Sequence, residues 1–258
     1  MSAQAPAGHR VAIVTGSAQG IGRAIALRLA ANGYDVAVND LPTRLADLEE
    51  IVREVKGHGA RGLAVVGDVT VEAEVEKLVT KTAQELGRVD VMVANAGIGH
   101  VSLIVDMDPA AFDRVYALNV RAVALCYKHA ARQMIKQGWG GRLIGASSGA
   151  GKLGVPGLSA YSSSKFAIRG LSQSVAMELR RYKITVNTYA PGLIDTPGIG
   201  RNAASMMDSG TMTRPKGPGM KTAMDSSVVS SIVAYLASEE AHHITGQSIS
   251  VDGGHVML

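Results

Sequence analysis

Short runs of β-branched residues alternate with longer stretches of helical periodicity along this chain. This alternation is typical of parallel strands joined by crossover helices. Each short run is almost continuously apolar, as expected for strands that helices cover on both faces. We therefore predict an α/β fold built on a doubly wound parallel sheet of about seven strands. The predicted strands are RVAIVTG, YDVAVN, RGLAVVG, VDVMVAN, RLIGAS, ITVNTY and QSISVDG, and the predicted helices cover 20–32, 43–57, 71–86, 109–136, 159–181 and 225–237.

The length and composition suit one domain of a soluble protein. The 258 residues are close to the roughly 200 to 250 that α/β folds often place in a single unit. The net charge is only +4, and Lys and Arg are dispersed among Asp and Glu, which argues against nucleic acid as a partner. No apolar run approaches the ~18 residues of a membrane span, and the start lacks the apolar core of a signal peptide. We expect a cytoplasmic location, no membrane partner and a flexible N-terminus over 1–9.

One stretch, 197–224, has no clean periodicity. Gly, Met, Ser and Thr recur there around Pro215 and Pro218. A mobile flap over a substrate and a plain surface loop are both compatible with this composition. Because long loops in ordered domains often act as lids, we favour a substrate flap.

A glycine-rich turn follows the first predicted strand, where TGSAQGIG places Gly16, Gly20 and Gly22 before the first helix. Glycines at such a junction let the backbone approach a pyrophosphate, and the free N–H groups of the helix N-terminus attract its negative charge. The spacing G-x-x-x-G-x-G is a weak signal alone. Its position between a strand and a helix predicts a dinucleotide site.

Asp40 ends the second predicted strand, twenty residues beyond Gly20. A carboxylate there can accept hydrogen bonds from the adenosine ribose and repel a 2′-phosphate, so we predict NAD rather than NADP as the cofactor. No Arg or Lys precedes Gly22 in the turn, which agrees with this prediction. The alternative is an aspartate that caps the next helix or shapes a turn.

Two more groups of polar or small residues follow predicted strands. Asp68 comes after the third strand, and Asn95, Ala96 and Gly97 come after the fourth. Ligands collect at the carboxyl ends of parallel strands, so these residues are candidates for the same pocket. Each of them taken singly can also be a turn former.

The segment GRLIGASSGAGKLGVPGLSAYSSSKFAIRG contains the candidate catalytic residues. Tyr161 and Lys165 are four residues apart on a predicted helix, so both side chains project from one face. A free tyrosine has a pKa of ~10, and we expect the nearby ammonium to lower it. Tyr161 can then exchange a proton with a carbonyl or alcohol oxygen, while Ser148 donates a hydrogen bond to the same oxygen.

These pieces resemble the classical short-chain dehydrogenase/reductase family over nearly the whole chain. The matching segments are TGSAQGIG, the aspartate after the third strand, NAG, the asparagine of LNV, Ser148, YSSSK, the Pro-Gly after the sixth strand and TGQSISVDGG. The resemblance implies a Rossmann-like sheet of order 3-2-1-4-5-6-7 and a catalytic centre of Asn119, Ser148, Tyr161 and Lys165, with Asn119 supporting a water relay to Lys165. The resemblance also implies a set of cofactor-binding residues, which includes the glycine-rich turn. They are Gly16, Gln19, Gly20, Ile21, Gly22, Asp40, Leu41, Asp68, Val69, Asn95, Ala96, Gly97, Tyr161, Lys165, Pro191, Gly192, Ile194 and Thr196.

Within the family, AYSSSKFAIRGLSQ and YLASEEAHHITGQSISVDGG are most similar to the acetoin and diacetyl reductases, also called 2,3-butanediol dehydrogenases. We expect an NAD-dependent enzyme that interconverts a small secondary alcohol and its ketone, assembled as a homotetramer. A polyol or cyclic-alcohol dehydrogenase, a 3-oxoacyl reductase and a non-catalytic dinucleotide-binding scaffold or sensor are the alternatives. Two departures from the family pattern are Ala94 before NAG and TAMDSSVVSS before the last helix.

A few other reactive residue types have simpler interpretations. We read Cys126, within a predicted helix, as a packed thiol rather than a nucleophile. His242 and His243 have no carboxylate or cysteine at ligand spacing, so we predict a solvated turn and no metal site. His100 follows the NAG turn and can either border the substrate or occupy an ordinary loop position.

Overall fold

The computed structural model describes residues 8–195 and 223–257, and its strands form one parallel sheet. The strand order is β3-β2-β1-β4-β5-β6-β7, which confirms the predicted fold class and order. Thr196 and almost all of the predicted flap lie outside the described residues. The strands are β1 (Val11–Thr15), β2 (Asp35–Asp40), β3 (Gly62–Val66), β4 (Val91–Ala94), β5 (Gly141–Ala146), β6 (Ile184–Pro191) and β7 (Ser248–Val251).

Helices cover both faces of this sheet, as the almost unbroken apolar strands predict. The helices are α1 (Gly20–Ala31), α2 (Leu45–Gly57), α3 (Glu72–Leu86), α4 (Pro109–Tyr116), α5 (Ala122–Gln137), α6 (Ser159–Leu179) and α7 (Ser226–Ala237). One core lies under α1, α2 and α7, and the other lies under α3, α5 and α6. Within β1, Ala12 and Val14 face the first core while Val11 and Ile13 face the second. Each side chain of this strand is therefore buried.

The predicted helix over 109–136 is interrupted at one place. It begins at Pro109, where the carboxylate of Asp108 accepts hydrogen bonds from two backbone N–H groups of the first turn. Between α4 and α5 the chain forms a π-helical turn, Ala117–Arg121, and Asn119 is buried within it. Such turns are rare and often occur at functional sites. The apolar periodicity continues through the turn, so the sequence pattern does not reveal it.

Asp225 caps the last helix, although the segment TAMDSSVVSS at its start departs from the family pattern. Its carboxylate accepts a hydrogen bond from the backbone N–H of Ser227 and caps α7. Just before it, Met224 pairs with Ile194 in an isolated bridge that connects this part of the chain to the end of β6. At the other terminus, His9 lies within the predicted flexible segment, yet its ring is 3.2 Å from the buried carboxylate of Asp35.

The sheet topology determines where a ligand can bind. Consecutive strands are added on one side of β1 up to β3, and then on the other side from β4 onward. At such a switch point the loops diverge and leave a crevice beyond the carboxyl ends of the two central strands. The glycine turn after β1 and the NAG turn after β4 both border this crevice.

Candidate active site

The glycine turn has the backbone geometry of an anion-binding loop. Gly16 and Gly20 have φ angles of +62° and +58°, a region that residues with side chains rarely adopt. A Cβ added at Gly22 would overlap the carbonyl oxygen of Gly16. Gln19 precedes α1 in an extended conformation, no side chain caps this helix, and no acidic residue occupies its first turn. The exposed N–H groups and the helix dipole are therefore available for a pyrophosphate.

Asn95 holds this turn in place. Its side-chain Nδ2 donates to the carbonyl oxygens of Thr15 at 2.9 Å and Gly16 at 3.0 Å. The hydroxyl of Thr15 accepts hydrogen bonds from the backbone N–H groups of Asn95 and Ala96, each at 3.1 Å. The β1 and β4 ends are thus locked together. Thr15 is a member of this site that sequence reasoning missed, because it reads as an ordinary strand residue.

Asp40 lies at the end of β2, half-buried and directed toward the glycine turn. One carboxylate oxygen accepts from the backbone N–H of Ala18 at 3.0 Å, and the other from its neighbour Leu41 at 2.9 Å. No side chain caps the short 3₁₀ turn that follows, so the helix-cap alternative does not describe Asp40. A carboxylate has about four acceptor positions, which leaves capacity for ribose hydroxyls. Leu41 is 47% exposed beside it.

The remaining residues that the resemblance implies lie at neighbouring strand ends. After β3, Asp68 accepts hydrogen bonds at 2.8 Å from both the backbone N–H and the hydroxyl of Thr70, which is the behaviour of a turn former. Val69 is buried beside it. Pro191 ends β6, Ile194 is fully buried, and Gly192 has no space for a side chain against Asp252.

Tyr161 and Lys165 lie one turn apart on α6 and face the same space. The Lys165 Nζ is 5.5 Å from the centre of the Tyr161 ring. The same ammonium donates to the carbonyl oxygen of Ala146 at the end of β5, at a distance of 2.8 Å. Lys165 is only 3% exposed, and burial lowers its pKa to about 8. It therefore carries its charge at neutral pH in an environment that penalises it.

The pKa of Tyr161 differs from the sequence-based expectation. Desolvation raises this pKa, and the hydrogen bond with Ser148 opposes the rise only in part. The prediction that Lys165 lowers the pKa of Tyr161 is wrong for the protein without cofactor. Desolvation raises this pKa by more than the hydrogen bond with Ser148 lowers it. The phenol consequently keeps its proton at neutral pH, which is the form that can donate a proton to a carbonyl oxygen. Ser148 itself is fixed by a hydrogen bond from the backbone N–H of Ala150 to its hydroxyl, at 3.2 Å.

Asn119 lies behind this pair, in the π-helical turn. Its Oδ1 accepts from the backbone N–H of Ile98 at 2.9 Å, while its Nδ2 donates to the Ile98 carbonyl at 2.9 Å and the Ser164 hydroxyl at 3.0 Å. Gly97 separates Asn119 from Lys165: a Cβ added there would lie 3.1 Å from Oδ1 and 3.3 Å from Nζ. A side chain at Gly97 would therefore crowd both groups, for which the resemblance implies a water relay.

The lowered pKa of Lys165 predicts a pH-dependent stability. Between pH 8 and about 10.5 the unfolded chain keeps this proton while the folded chain releases it, so Lys165 adds stability as pH rises through that window. From pH 7 to pH 9.5, the free energy of unfolding of wild type should rise by roughly 2 kcal/mol relative to that of Lys165→Met. Urea unfolding of both proteins at each pH measures this difference, and a constant difference would contradict the lowered pKa.

The four residues with simpler interpretations, Cys126, His100, His242 and His243, lie outside the candidate catalytic centre. Cys126 is buried within α5, and desolvation raises the pKa of its thiol to about 12, so it packs in the core as predicted. His242 and His243 are exposed on the turn after α7 with their ring centres 4.1 Å apart. His100 is half-buried in the loop after β4.

The fold and site define a class: a Rossmann-like protein with a Tyr-x-x-x-Lys pair near the crevice that the glycine turn and the NAG turn border. The family model for short chain dehydrogenase matches residues 10–206. A short-chain dehydrogenase/reductase from Armillaria gallica is 46% identical over 254 residues, which are 96% of this chain and 96% of that protein. The L-2,3-butanediol dehydrogenase of Corynebacterium glutamicum is 36% identical over 260 residues, 95% of this chain and 98% of that protein. The chain therefore belongs to the short-chain dehydrogenase family and is an oxidoreductase.

Solved structures agree with this assignment. An acetoin dehydrogenase from Salmonella typhimurium matches with a TM-score of 0.83 and 37% identity, over 95% of both chains. A short chain dehydrogenase from Mycobacterium paratuberculosis bound to NAD matches with a TM-score of 0.87 and 32% identity, over 96% of this chain and 97% of that one. In the part of the chain that the structure describes, no helix combines the length and apolar character that a membrane crossing requires.

Proposed function

We propose that this protein is an NAD(H)-dependent oxidoreductase that interconverts a small secondary alcohol and its ketone, with Tyr161 as the acid and base. The observation that carries the proposal is the convergence of Ser148, Tyr161 and Lys165 on one space beside the NAG turn. The hydrogen bond between Ser148 and Tyr161, and the 5.5 Å between the Lys165 Nζ and the tyrosine ring, bring a donor, a proton source and a cation together. A non-catalytic scaffold has no need of this arrangement.

The chemistry follows from the protonation states of these side chains. A nicotinamide bound beside these side chains would supply a hydride to the carbonyl carbon, or would accept it in the reverse direction. Tyr161 transfers its phenolic proton to the carbonyl oxygen, so that the C=O bond becomes a C–O–H group and the tyrosine is left as phenolate. Lys165 stabilises that phenolate by its positive charge, and Ser148 holds the reacting oxygen. In the oxidation direction the phenolate takes the proton back.

The preference for NAD over NADP rests on Asp40. Its carboxylate lies at the end of β2, next to the turn that would hold the pyrophosphate, and a 2′-phosphate would meet its negative charge. The Mycobacterium paratuberculosis structure, which is bound to NAD, is consistent with this preference.

Replacing Asp40 tests the cofactor preference. Asp40→Ala should narrow the ratio of kcat/KM for NADH over NADPH by roughly tenfold or more, because the like-charge repulsion and the ribose hydrogen bonds are both lost. Steady-state kinetics with each cofactor measures this ratio. Asp47→Ala serves as a control, since Asp47 pairs with Arg44 on the exposed side of α2. An unchanged ratio in Asp40→Ala would remove Asp40 from ribose recognition.

The similarity to an acetoin dehydrogenase and to an L-2,3-butanediol dehydrogenase supports a vicinal diketone or hydroxyketone as the substrate. A panel of diacetyl, acetoin, ketose sugars, cyclic ketones and a 3-oxoacyl thioester, followed by NADH absorbance, tests this assignment. We expect the highest kcat/KM for diacetyl or acetoin. A higher value for a ketose, a cyclic ketone or the thioester would select the polyol dehydrogenase, cyclic-alcohol dehydrogenase or 3-oxoacyl reductase alternative.

We also propose a homotetramer in the cytoplasm. The outer side of α6 supports an assembly surface, because Phe166 is 41% exposed and Met177 is 76% exposed there. Sedimentation of the purified protein measures the mass, and a monomer at micromolar concentration would contradict the assembly.

A further inference from the structure

Tyr189 on β6 lies in a row of residues that crosses the sheet at the floor of the crevice. Its backbone is paired with Ala146 of β5. The register between β4 and β5 places Asn95, directly after β4, at the same level. Paired residues of parallel strands point to the same face of a sheet. Because Ala146 carries only a methyl group, the phenol of Tyr189 can cross β5 and reach Asn95.

The hydroxyl of Tyr189 donates a hydrogen bond to the Oδ1 of Asn95 at 2.8 Å. Tyr189 is 1% exposed, and desolvation raises its pKa, so the hydroxyl stays protonated over the whole working pH range. An asparagine amide has an acceptor on one side and a donor on the other. A permanent donor facing Oδ1 therefore turns Nδ2 toward the glycine turn, where it contacts Thr15 and Gly16.

We propose that Tyr189 is a positioning residue for the cofactor: it fixes the orientation of Asn95 and thereby the shape of the glycine turn that binds the pyrophosphate. This inference rests on the proposed dinucleotide site. Tyr189 connects β6, which carries Pro191 at its end, to the turn after β1 on the other side of the crevice. The hydrogen bond from Tyr189 to Asn95, together with those from Asn95 to Thr15 and Gly16, therefore links β6 to the glycine turn.

Tyr189→Phe tests the role, because it removes only the hydroxyl oxygen and keeps the ring in the core. Loss of a buried hydrogen bond that orients the turn should raise the Kd for NADH about fivefold or more, while kcat at saturating NADH stays within about twofold. Tyr127→Phe is the matched control: Tyr127 is equally buried, and its hydroxyl bonds to Ser172 between α5 and α6. We expect this control to lose a similar amount of thermal stability without any change in Kd.

A double-mutant cycle shows whether Tyr189 acts through Asn95. The double variant Tyr189→Phe, Asn95→Ala should bind NADH no more weakly than Asn95→Ala alone. Without cofactor, amide hydrogen exchange at 16–19 should be faster in Tyr189→Phe than in wild type or Tyr127→Phe. This exchange measurement keeps the test informative even when binding is weak.

The outcomes separate two failures. If wild type binds neither NADH nor NADPH by fluorescence titration, the proposed function fails. If wild type binds NADH or NADPH, the double-mutant cycle is measured with whichever of these two nucleotides binds. Equal Kd values for wild type and Tyr189→Phe, or full additivity of the two changes in the cycle, would then overturn the positioning role while leaving the proposed function intact.

Discussion

Replacing Tyr161 by phenylalanine should lower kcat for diacetyl reduction by about 10²- to 10⁴-fold, the usual contribution of a positioned general acid. The Kd for NADH should stay within about twofold, because the variant loses only a hydroxyl that faces the substrate space. Stopped-flow turnover and fluorescence titration measure these two quantities. The split between them identifies a group that acts on the reacting oxygen rather than one that supports the fold.

Tyr235→Phe is a suitable control for this experiment. Tyr235 is 42% exposed on α7, which packs on the opposite face of the sheet from α6, and we expect its replacement to leave both quantities unchanged. Turnover by Tyr161→Phe within tenfold of wild type would refute the assignment of Tyr161 as the acid.

Replacing Gly22 by alanine should weaken NADH binding between tenfold and about 100-fold. The added Cβ would overlap the Gly16 carbonyl oxygen and lie 2.5 Å from the Asn95 Nδ2. Relieving such an overlap costs about 1 to 3 kcal/mol and moves the backbone that would hold the pyrophosphate. Fluorescence titration with NADH measures the loss, and a thermal melt reports the accompanying loss of stability.

Gly57→Ala provides the matched glycine control. Gly57 ends α2 on the surface, and an added Cβ there has no heavy atom within 4 Å. Its Kd for NADH should equal that of wild type, and its stability should stay level or rise by up to about 1 kcal/mol. Wild-type affinity in Gly22→Ala would show that the close packing of the turn is not needed for cofactor binding.

The sequence predicts the sheet well because its strands are buried on both faces. Strands such as β1 and β5 are buried along their whole length, and the helices between them keep a clear period, so the positions of strands and helices follow from simple rules. The strand order, in contrast, is predicted from the resemblance to the family. The Tyr161 and Lys165 pair is also visible, since a spacing of four residues within one helix fixes a common face.

Other parts of the site depend on contacts between elements, which no local pattern contains. The contact of Tyr189 with Asn95 requires the register of three strands and the small side chain of Ala146 between them. The π-helical turn around Asn119 interrupts the helix without interrupting its apolar period. The raised pKa of Tyr161 results from its burial in the folded chain, and a sequence shows the neighbouring lysine but not the desolvation.

The most direct test follows the hydride itself. Wild type is mixed with diacetyl and NADH that carries deuterium at the transferring position of C4, and the product is examined by mass spectrometry and NMR. We predict acetoin with one deuterium on the new carbinol carbon, formed by wild type and not measurably by Tyr161→Phe over the same interval. Product without deuterium at that carbon, or equal labelling by the two proteins, would contradict hydride transfer assisted by Tyr161.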